Sequence, residues 1–575
     1  MKERIWPASP EGRWNTIVGA FVFLVSLLVY AWCVTPTVPY WDSGEYIATS
    51  YILGIPHPPG TPLYVLIGRL FTFLPLGSIA VRVNLLSSLS SAVAVLLTYL
   101  ITVRLVKKNL AGDGSWWMPL AGGVVASFFM AFGTTFWDNA IEAEVYASAS
   151  AIMCFAIWLA LLWWDGQGEA RNDRILWLIL YVLFLAIGIH LGTFLVFPCI
   201  YLLVTMVHWD RVNKGVFWGT IILFLVAALA RTAVVSTIDD VDKRIVDLSF
   251  AAPDVQRTAG LLTLVAAAAV VGNLVSVLGL RFTLGIGLLA VIGLSVHFYL
   301  LIRAGLNPVI NEGDPSTWNS LWLLLSRDQY KPPEAIFRKA GYAYQFSQMY
   351  WRYFTWQFHL ADFLAGKTFW LPIMVGLFGA FLNFFRNRKS FWLMLTLFLI
   401  TGPFLVWYLN FKEGEVRERD YFFVVNFHLF AIWIGIGAAA LIQWVDELMT
   451  AGRERTGRIP PAGVLATTAL LVFMSTMPLW AGQENQNFFR HNRRGNWIAH
   501  NYAYNMLVGL EKDAILFTNG DNDTFPLWYL QTVERFRPDV RVVCLSLLNT
   551  DWCIRQLRDE EPKVPVELTD AQISR

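Results

Sequence analysis

Long apolar runs recur along most of this 575-residue chain and constrain its fold more than any other feature. A helix of about 20 apolar residues crosses the ~30 Å hydrocarbon core of a bilayer. Such runs lie near residues 15–34, 79–103, 116–135, 145–164, 175–188, 191–207, 216–236, 258–279, 282–302, 368–385, 391–409, 421–444 and 461–481. The sequence therefore predicts an all-α polytopic membrane protein with about thirteen transmembrane helices, whose first partner is the lipid bilayer.

Positive charges collect in alternate loops between these runs. They are Arg104, Lys107 and Lys108; Arg171 and Arg174; Arg211 and Lys214; Arg281; Arg386, Arg388 and Lys389; and Arg453, Arg455 and Arg458. Because short cytoplasmic loops collect Lys and Arg, this pattern predicts a cytoplasmic N-terminus at residues 1–14. The formal net charge is only +2, so the total gives no indication of a nucleic-acid partner.

The same pattern divides the chain into three regions. Residues 15–482 form the predicted membrane domain, with external loops at 35–78 and 304–366, and residues 483–575 are polar and external. In that last region two predicted strands, 514–518 and 540–545, flank a helical pattern at 525–536, which is the order of a βαβ unit. We therefore predict a small α/β extramembrane domain, and we expect the natural protein to continue beyond Arg575.

Two carboxylates lie in the motif Trp41-Asp42-Ser43-Gly44-Glu45, directly after the first apolar run. If a helix begins here, Asp42 and Glu45 project to similar sides of its first turn. A positioned carboxylate is what removes a proton from an attacking hydroxyl. The alternative is a capping box, in which Asp42 and Glu45 satisfy backbone amides and carry no chemistry.

A histidine follows in the proline-rich segment Ile55-Pro56-His57-Pro58-Pro59-Gly60. The prolines fix the backbone and Gly60 permits a tight bend, so the segment suits presentation of the His57 imidazole to a phosphate or hydroxyl. An interfacial polar group is the alternative. The apolar segment 63–75 is short and carries Arg69, so we expect it to lie at the outer interface.

A second acidic motif, Glu142-Ala143-Glu144-Val145-Tyr146, lies between the third and fourth runs. Together with Asp138 it places three carboxylates at a membrane boundary with no neighbouring cation in the sequence, which is unusual. Charge complementing a helix dipole explains one of these acids better than three. His190 lies between glycines at the outer end of a run, either as a site residue or as a helix-terminal one.

The external turn from Lys412 to Tyr421 violates the positive-inside trend. Arginine binds phosphate through two parallel hydrogen bonds, so Arg417 and Arg419 are candidates to hold an anionic lipid carrier. A turn that forms ion pairs with its own glutamates is the alternative. In the polar region, Asp521 and Asp523 fit a cation site less well than they fit a turn and helix start.

Taken together, these motifs resemble the bacterial relatives of the eukaryotic transmembrane protein O-mannosyltransferase, a family of multi-spanning GT-C glycosyltransferases. The motifs are Trp41–Glu45, His57–Gly60, Glu142–Tyr146, Gly188–Gly192, Arg417–Tyr421 and Asn519–Thr524. The resemblance implies a GT-C fold and an acidic catalytic residue in the first external loop. It also implies a polyprenyl-phosphate-linked sugar donor, with mannose as the expected sugar, and Ser or Thr of exported proteins as acceptors.

We therefore expect an inverting transferase of a bacterial inner membrane with its site and C-terminal region in the periplasm. The resemblance implies that Asp42 or Glu45 is the catalytic carboxylate. The choice between them stays open, because the adjacent Asp-Glu of better-known members is here split by Ser43 and Gly44. We expect substrate contacts from His57, His190, Arg417, Arg419, Glu142, Glu144 and Tyr146, and if a metal is used, Mg²⁺ or Mn²⁺ at Asp42 and Glu144. The alternatives are a glycolipid or cell-wall acceptor, or a transporter or flippase of lipid-linked sugar.

Overall fold

The computed structural model describes residues 9–110, 115–167, 173–223, 225–226, 251–330, 339–358, 370–450, 460–480 and 488–574. The first helices are α1 (Pro10–Cys33), α2 (Ser43–Ile52), α3 (Pro62–Thr72), α4 (Ile79–Asn109), α5 (Met118–Ala131), α6 (Thr134–Ala140), α7 (Val145–Asp165), α8 (Asp173–Ala186), α9 (Phe197–Val207), α10 (Lys214–Leu223), α11 (Ala251–Leu278), α12 (Leu280–Leu294) and α13 (Phe298–Ala304). Then follow α14 (Trp318–Leu325), α15 (Arg352–Gln357), α16 (Leu371–Arg386), α17 (Arg388–Leu399), α18 (Leu405–Leu409), α19 (Val424–Thr450), α20 (Ala462–Trp480), α21 (Phe488–His491), α22 (Ile498–Val508), α23 (Asp521–Thr532), α24 (Asp551–Asp559) and α25 (Asp570–Ile573). The two strands are β1 (Ile515–Thr518) and β2 (Arg541–Cys544), and short 3-10 and π-helical segments also occur, among them the 3-10 segment Leu191–Val196. Most of the predicted run 216–236, parts of the loop 304–366 and the cations Arg171, Arg453, Arg455 and Arg458 lie outside the described residues.

The helical membrane architecture is confirmed, but the count of about thirteen spans is not. In the described part of the chain, eight helical segments are long and apolar enough to cross a membrane, or nine if α5 and α6, bent by 71°, count as one span. Other predicted runs form shorter helices, including α9 with 11 residues and α16 with 16. At 1.5 Å per residue these extend only roughly 17 and 24 Å, less than the ~30 Å of hydrocarbon.

Helix α19 is the centre of the bundle, because its apolar length is almost entirely buried. It crosses α5 where two glycines face each other. A Cβ on Gly122 would lie 2.6 Å from the carbonyl oxygen of Gly435, and a Cβ on Gly435 would lie 2.5 Å from that of Gly122. Small residues that let backbones approach closely are typical of helix packing in membranes.

The two ends of helix α4 lie next to loops of opposite charge. Near its first turns, Asn84 donates to the carbonyl oxygen of Thr35 over 3.0 Å, next to the acidic loops. At its other end, Lys107 pairs with Glu11 and Lys108 with Asp165. The 31 residues of α4 extend roughly 46 Å, so the acidic motifs and these cations lie at opposite ends of the bundle. That the cationic face is cytoplasmic stays a prediction.

The C-terminal region has both predicted strands and a helix between them, but this helix, Asp521–Thr532, begins and ends four residues before the predicted 525–536. Strands β1 and β2 pair in parallel, with Ile515 opposite Arg541, and α23 lies between them in the chain. Buried side chains of this region, among them Leu527 and Leu530, belong to one hydrophobic cluster with Tyr46 and Ile47 of α2. The region therefore packs directly onto the first external loop. Its status as a separate domain from residue 483 stays a prediction.

Candidate active site

Asp42 lies at the start of α2 with its carboxylate free of any capping role. It is the N-cap residue, but its side chain makes no hydrogen bond to the helix amides. The carboxylate, 24% exposed, lies 3.6 Å from the guanidinium of Arg417, measured from Oδ2 to Nη1. The capping-box alternative is therefore wrong for Asp42, because this side chain is directed to a cation from another part of the chain.

Glu45, one turn later, is fully buried and holds His57. Its Oε1 accepts the His57 backbone N–H at 2.8 Å, and its Oε2 lies 2.6 Å from His57 Nδ1. Burial lowers the pKa of His57, whereas the negative charges of Glu45 and Asp42 raise it. The charges outweigh burial, and the net pKa is about 10. His57 is thus an imidazolium at neutral pH. Glu45 is its counter-ion and fixes the proline-rich loop.

Arg417 joins the two acidic motifs. Besides Asp42 it reaches Glu144, with Nη2 to Oε1 at 3.2 Å. Its guanidinium also lies over two rings, 5.0 Å from the centre of Trp41 and 4.5 Å from that of Tyr421. Two acids and two aromatic faces thus hold one arginine that is only 14% exposed. The acidic pair of the first loop and the cation that precedes α19 therefore share one site.

Glu144 is as enclosed as Glu45. It is fully buried, and its backbone N–H donates to Ser87 Oγ at 3.2 Å. One carboxylate oxygen bonds Arg417, and the other has no hydrogen-bond partner. Burial raises the pKa of Glu144 to about 8 even though Arg417 opposes the shift. Glu144 is the N-cap of α7 but makes no side-chain cap bond, so its carboxylate is directed to Arg417 and not to the helix amides.

Arg419 is arranged differently from Arg417. Its guanidinium bonds Glu415 Oε2 at 2.8 Å and the hydroxyl of Tyr421 at 2.7 Å. Its backbone N–H donates to the hydroxyl of Tyr353 at 3.2 Å. The alternative of an ion-paired turn therefore describes Arg419, whereas Arg417 leaves the turn for the acids.

His190 and Tyr146 lie beside this group. Nδ1 of His190 accepts the Gly192 backbone N–H at 3.0 Å, so the neutral ring carries its proton on Nε2. Burial, then the charges of Arg327 and His57, lower the His190 pKa to about 4. The His190 ring lies 4.9 Å from that of Tyr146, which in turn lies 4.7 Å from Tyr421. Tyr146 thus connects a neutral hydrogen-bond donor to the Arg417 turn.

The structure supplies a cation for the second acidic motif that sequence reasoning missed. Arg493 donates from Nη2 to Asp138 at 3.0 Å, and its Nη1 lies 3.8 Å from Glu142. Burial raises the pKa of Glu142, and Arg493 opposes that shift. Arginines at 490, 493 and 494 lie on the predicted external side, against the positive-inside trend, as Arg417 does. This cluster of external cations was the sequence signal that could have identified Arg493.

Glu312 is a second residue of this site that the sequence did not predict. The backbone of Ile55 pairs with the loop that carries Glu312, since Ile55 donates to Ile310 at 2.8 Å and Glu312 donates back to Ile55 at 3.1 Å. Glu312 is 1% exposed, and its Oε2 has no partner. Burial, then the neighbouring Glu45, raise its pKa well above the usual range. One acid in a loop of mixed charge gives no sequence signal.

The Asn519–Thr524 motif meets the first loop. Asp523 accepts the amides of Asn519 and Gly520 at 2.8 and 2.9 Å, the turn role that the sequence favoured. Asn522 instead accepts the backbone N–H of Trp41 at 2.8 Å. Burial, then Asp42 and Glu45, raise the pKa of Asp521 to about 6.

A metal at Asp42 and Glu144 stays a prediction. Within the residues that the structure describes, no group of three or more His, Cys, Asp or Glu side chains is arranged to hold a metal ion. Arg417 occupies the space between the two acids that a cation would share.

Fold and site together define an integral membrane protein with a charged, half-buried site at one end of its helical bundle. Two family models match the chain: the protein O-mannosyl-transferase TMEM260 N-terminal domain over residues 42–213, and TMEM260-associated domain 2 over residues 499–575. The first includes Asp42, Glu45, His57, Glu142, Glu144, Tyr146 and His190, and the second includes Asn522.

Two curated relatives carry the same family name. The protein O-mannosyl-transferase TMEM260 of Mus musculus is 23% identical over 571 residues, covering 97% of this chain and 67% of the relative. The corresponding protein of Dictyostelium discoideum is 20% identical over 560 residues, covering 92% of this chain and 57% of its own length. The chain is therefore similar to the TMEM260 proteins over most of its length. At the level of these relatives the prediction of a transferase is confirmed, whereas a bacterial origin is not shown.

Solved structures give weaker matches. The archaeal oligosaccharyltransferase AglB from Archaeoglobus fulgidus, in complex with an inhibitory peptide and a dolichol-phosphate, aligns with a TM-score of 0.48 at 12% identity, covering 92% of this chain and 64% of that one. ArnT from Cupriavidus metallidurans, bound to undecaprenyl phosphate, aligns with a TM-score of 0.39 at 12% identity, covering 89% and 84%. At these scores the GT-C type stays a prediction.

Proposed function

We propose that this protein is a membrane glycosyltransferase that moves a sugar, with mannose as the expected one, from a polyprenyl-phosphate carrier to Ser or Thr of exported proteins. The observation that carries the proposal is the contact of Arg417 with both Asp42 and Glu144. It combines a partly exposed carboxylate, able to accept a proton, with a cation suited to a phosphate. The names of the TMEM260 relatives support the reaction class.

Asp42 is the proposed base, and Glu45 is its neighbour in a supporting role. A base has to reach a hydroxyl, and Asp42 is 24% exposed, whereas Glu45 is fully buried with both oxygens committed to His57. Glu144 is fully buried too, and its raised pKa favours the protonated form. Of the three acids, Asp42 is therefore the one placed to take a proton from an acceptor.

The proposed reaction is a single displacement. Asp42 takes the proton of the acceptor hydroxyl while that oxygen forms a bond to the anomeric carbon. The bond from this carbon to the phosphate oxygen breaks, and its electron pair leaves with the lipid phosphate. Arg417 stabilises the charge that develops on the phosphate, assisted by the His57 imidazolium and the neutral His190. The configuration of the sugar is inverted, and no covalent intermediate is needed.

Sidedness and metal use belong to the same proposal. The cationic loops at the far end of α4 support a cytoplasmic location for that face, which would put the site on the periplasmic side of a bacterial inner membrane. Any Mg²⁺ or Mn²⁺ held by the oxygens of Asp42 and Glu144 would have to displace the Arg417 guanidinium that lies between them, and it would then supply the positive charge near the phosphate.

The test is a transfer assay on detergent-purified protein with labelled polyprenyl-phosphate mannose and a Ser/Thr peptide, run with and without chelator. We expect a labelled peptide from the wild type and none from Asp42→Asn. Labelled glycolipid in place of peptide would redirect the proposal to the glycolipid acceptor. No transfer product, together with movement of the labelled donor across vesicle membranes, would overturn the enzyme proposal in favour of a transporter.

A further inference from the structure

The residue before Asp42 has an uncommon backbone conformation. Trp41 has φ of 63°, in the left-handed region that a bulky side chain rarely adopts. Such strain persists only where the surroundings impose it. The imposed turn directs the chain into α2 at Asp42 and places the Trp41 ring 5.0 Å below the Arg417 guanidinium.

The contact that holds this turn comes from the C-terminal region. Asn522, in the first turn of α23, accepts the Trp41 backbone N–H on Oδ1 at 2.8 Å, across 481 positions of the chain. A part-buried amide left unpaired would cost free energy, so this bond favours the observed orientation of the peptide before Asp42.

The two helix starts approach each other too closely for the contact to be incidental. A Cβ on Gly44 would lie 2.8 Å from both the carbonyl carbon and the carbonyl oxygen of Phe525. Phe525 is 4% exposed and Gly44 is buried. The backbone of α23 is therefore seated against the first turn of α2, and Asn522 is held in place by that packing.

We propose that Asn522 is a positioning residue of the transfer site: its amide oxygen holds Trp41 in the left-handed conformation that sets the entry of Asp42 into α2. This inference rests on the proposed function. The C-terminal region thereby contributes to the reaction itself.

Two variants of the full-length protein test the inference. Asn522→Ala removes the acceptor of the Trp41 N–H, and we expect kcat per folded protein to fall roughly 10- to 100-fold, since small displacements of reacting groups cost this much. Asn522→Asp keeps an acceptor of the same shape but adds a negative charge close to Asp42, which raises the pKa of a neighbouring carboxylate. We expect Asn522→Asp to restore turnover at alkaline pH and to move the acidic limb of the pH–rate profile to higher pH.

Asn387→Ala is the matched control, because Asn387 Oδ1 also accepts a backbone N–H, that of Ser390 at 3.1 Å, in a helix cap far along the chain. It should match wild-type turnover per folded protein. The inference is overturned if Asn522→Ala turns over like the Asn387 control, or if Asn522→Asp fails to rescue and leaves the pH profile unmoved. Absence of transfer by the wild type itself would instead defeat the proposed function and this inference with it.

Discussion

Two carboxylates one helical turn apart have different surroundings in this site. Asp42 is partly exposed and faces Arg417, whereas Glu45 is fully buried and binds His57 twice. A carboxylate is therefore partly accessible in one case and fully committed to a buried partner in the other. The sequence could not separate the two roles, because both side chains project to similar sides of the helix that begins at Ser43. Only their partners, Arg417 for Asp42 and His57 for Glu45, distinguish them.

Substituting these two acids separately should resolve their roles. Asp42→Asn should lower kcat by about 10²- to 10⁴-fold, the usual contribution of a general base, without changing the thermal midpoint. Glu45→Gln should mainly lower the thermal midpoint, because it removes the counter-ion of His57. Steady-state kinetics and thermal unfolding of both purified variants would check this. Normal turnover in Asp42→Asn combined with its loss in Glu45→Gln would reverse the assignment.

The two arginines of the external turn should also differ. Arg417→Ala should raise KM for the lipid-linked donor about tenfold or more, because it removes the cation next to Asp42 and Glu144. Arg419→Ala breaks a pair within the turn, so its effect on KM should be smaller. Donor titrations on both variants provide the measurement. Equal increases in KM would show that the turn acts as a unit and that Arg417 has no special role.

The stabilisation given by His57 should depend on pH. Its folded-state pKa of about 10 lies above the ordinary value of 6.5, so the pair with Glu45 stabilises the fold fully below pH 6.5. That contribution is lost as pH rises toward and through 10. We expect the difference in thermal midpoint between wild type and His57→Gln to shrink from pH 6 to pH 10. A difference that stays constant or widens with pH would contradict a charged His57.

At the scale of elements, the seating of α23 on α2 depends on one missing side chain. Gly44→Ala places a methyl group 2.8 Å from backbone atoms of Phe525, which cannot rotate away. We expect this substitution to separate the two helix starts and to reduce transfer strongly, while Ala48→Gly, a cavity-type change in the same buried helix, should mainly reduce stability. Activity normalised to folded protein would distinguish them. Wild-type transfer by Gly44→Ala would mean that the approach can relax without consequence.

Element types were predictable where periodicity is strong. Strands β1 and β2 and the intervening helix follow alternating and helical patterns, and the apolar runs form helices where the structure describes them. The number of spans was not predictable, because run 175–188 forms a helix of only 14 residues, and run 191–207 is divided into a 3-10 segment of six residues and α9 with 11. Hydropathy reports composition but not where a helix is interrupted. Here the turn at Gly188 follows α8, and the 3-10 segment Leu191–Val196 precedes α9.

At the scale of the whole molecule, the site joins segments that are far apart in sequence. Asp42, Glu144 and Arg417 were each predicted from local charge, and their shared position followed from the alternation of loops. Arg493, Glu312 and Asn522 were not predicted as partners, because each acts through one long-range contact that leaves no local pattern. A single sequence therefore predicts the charged residues that meet in the proposed site better than the residues that hold them.

The shared hydrophobic cluster leads to a prediction for the C-terminal region. Ala503, Leu507, Leu527 and Leu530 are fully buried and belong to the cluster that includes Tyr46 and Tyr64 of the first external loop. Expressed alone, residues 488–575 would expose these side chains to water, and a two-stranded sheet gives little independent stability. We expect the fragment to show no cooperative unfolding by circular dichroism, and the corresponding region of the full-length protein to be protected in hydrogen exchange. A sharp thermal transition of the isolated fragment would instead establish an independent domain, and Asn522 would then be carried to the first loop by a preformed unit.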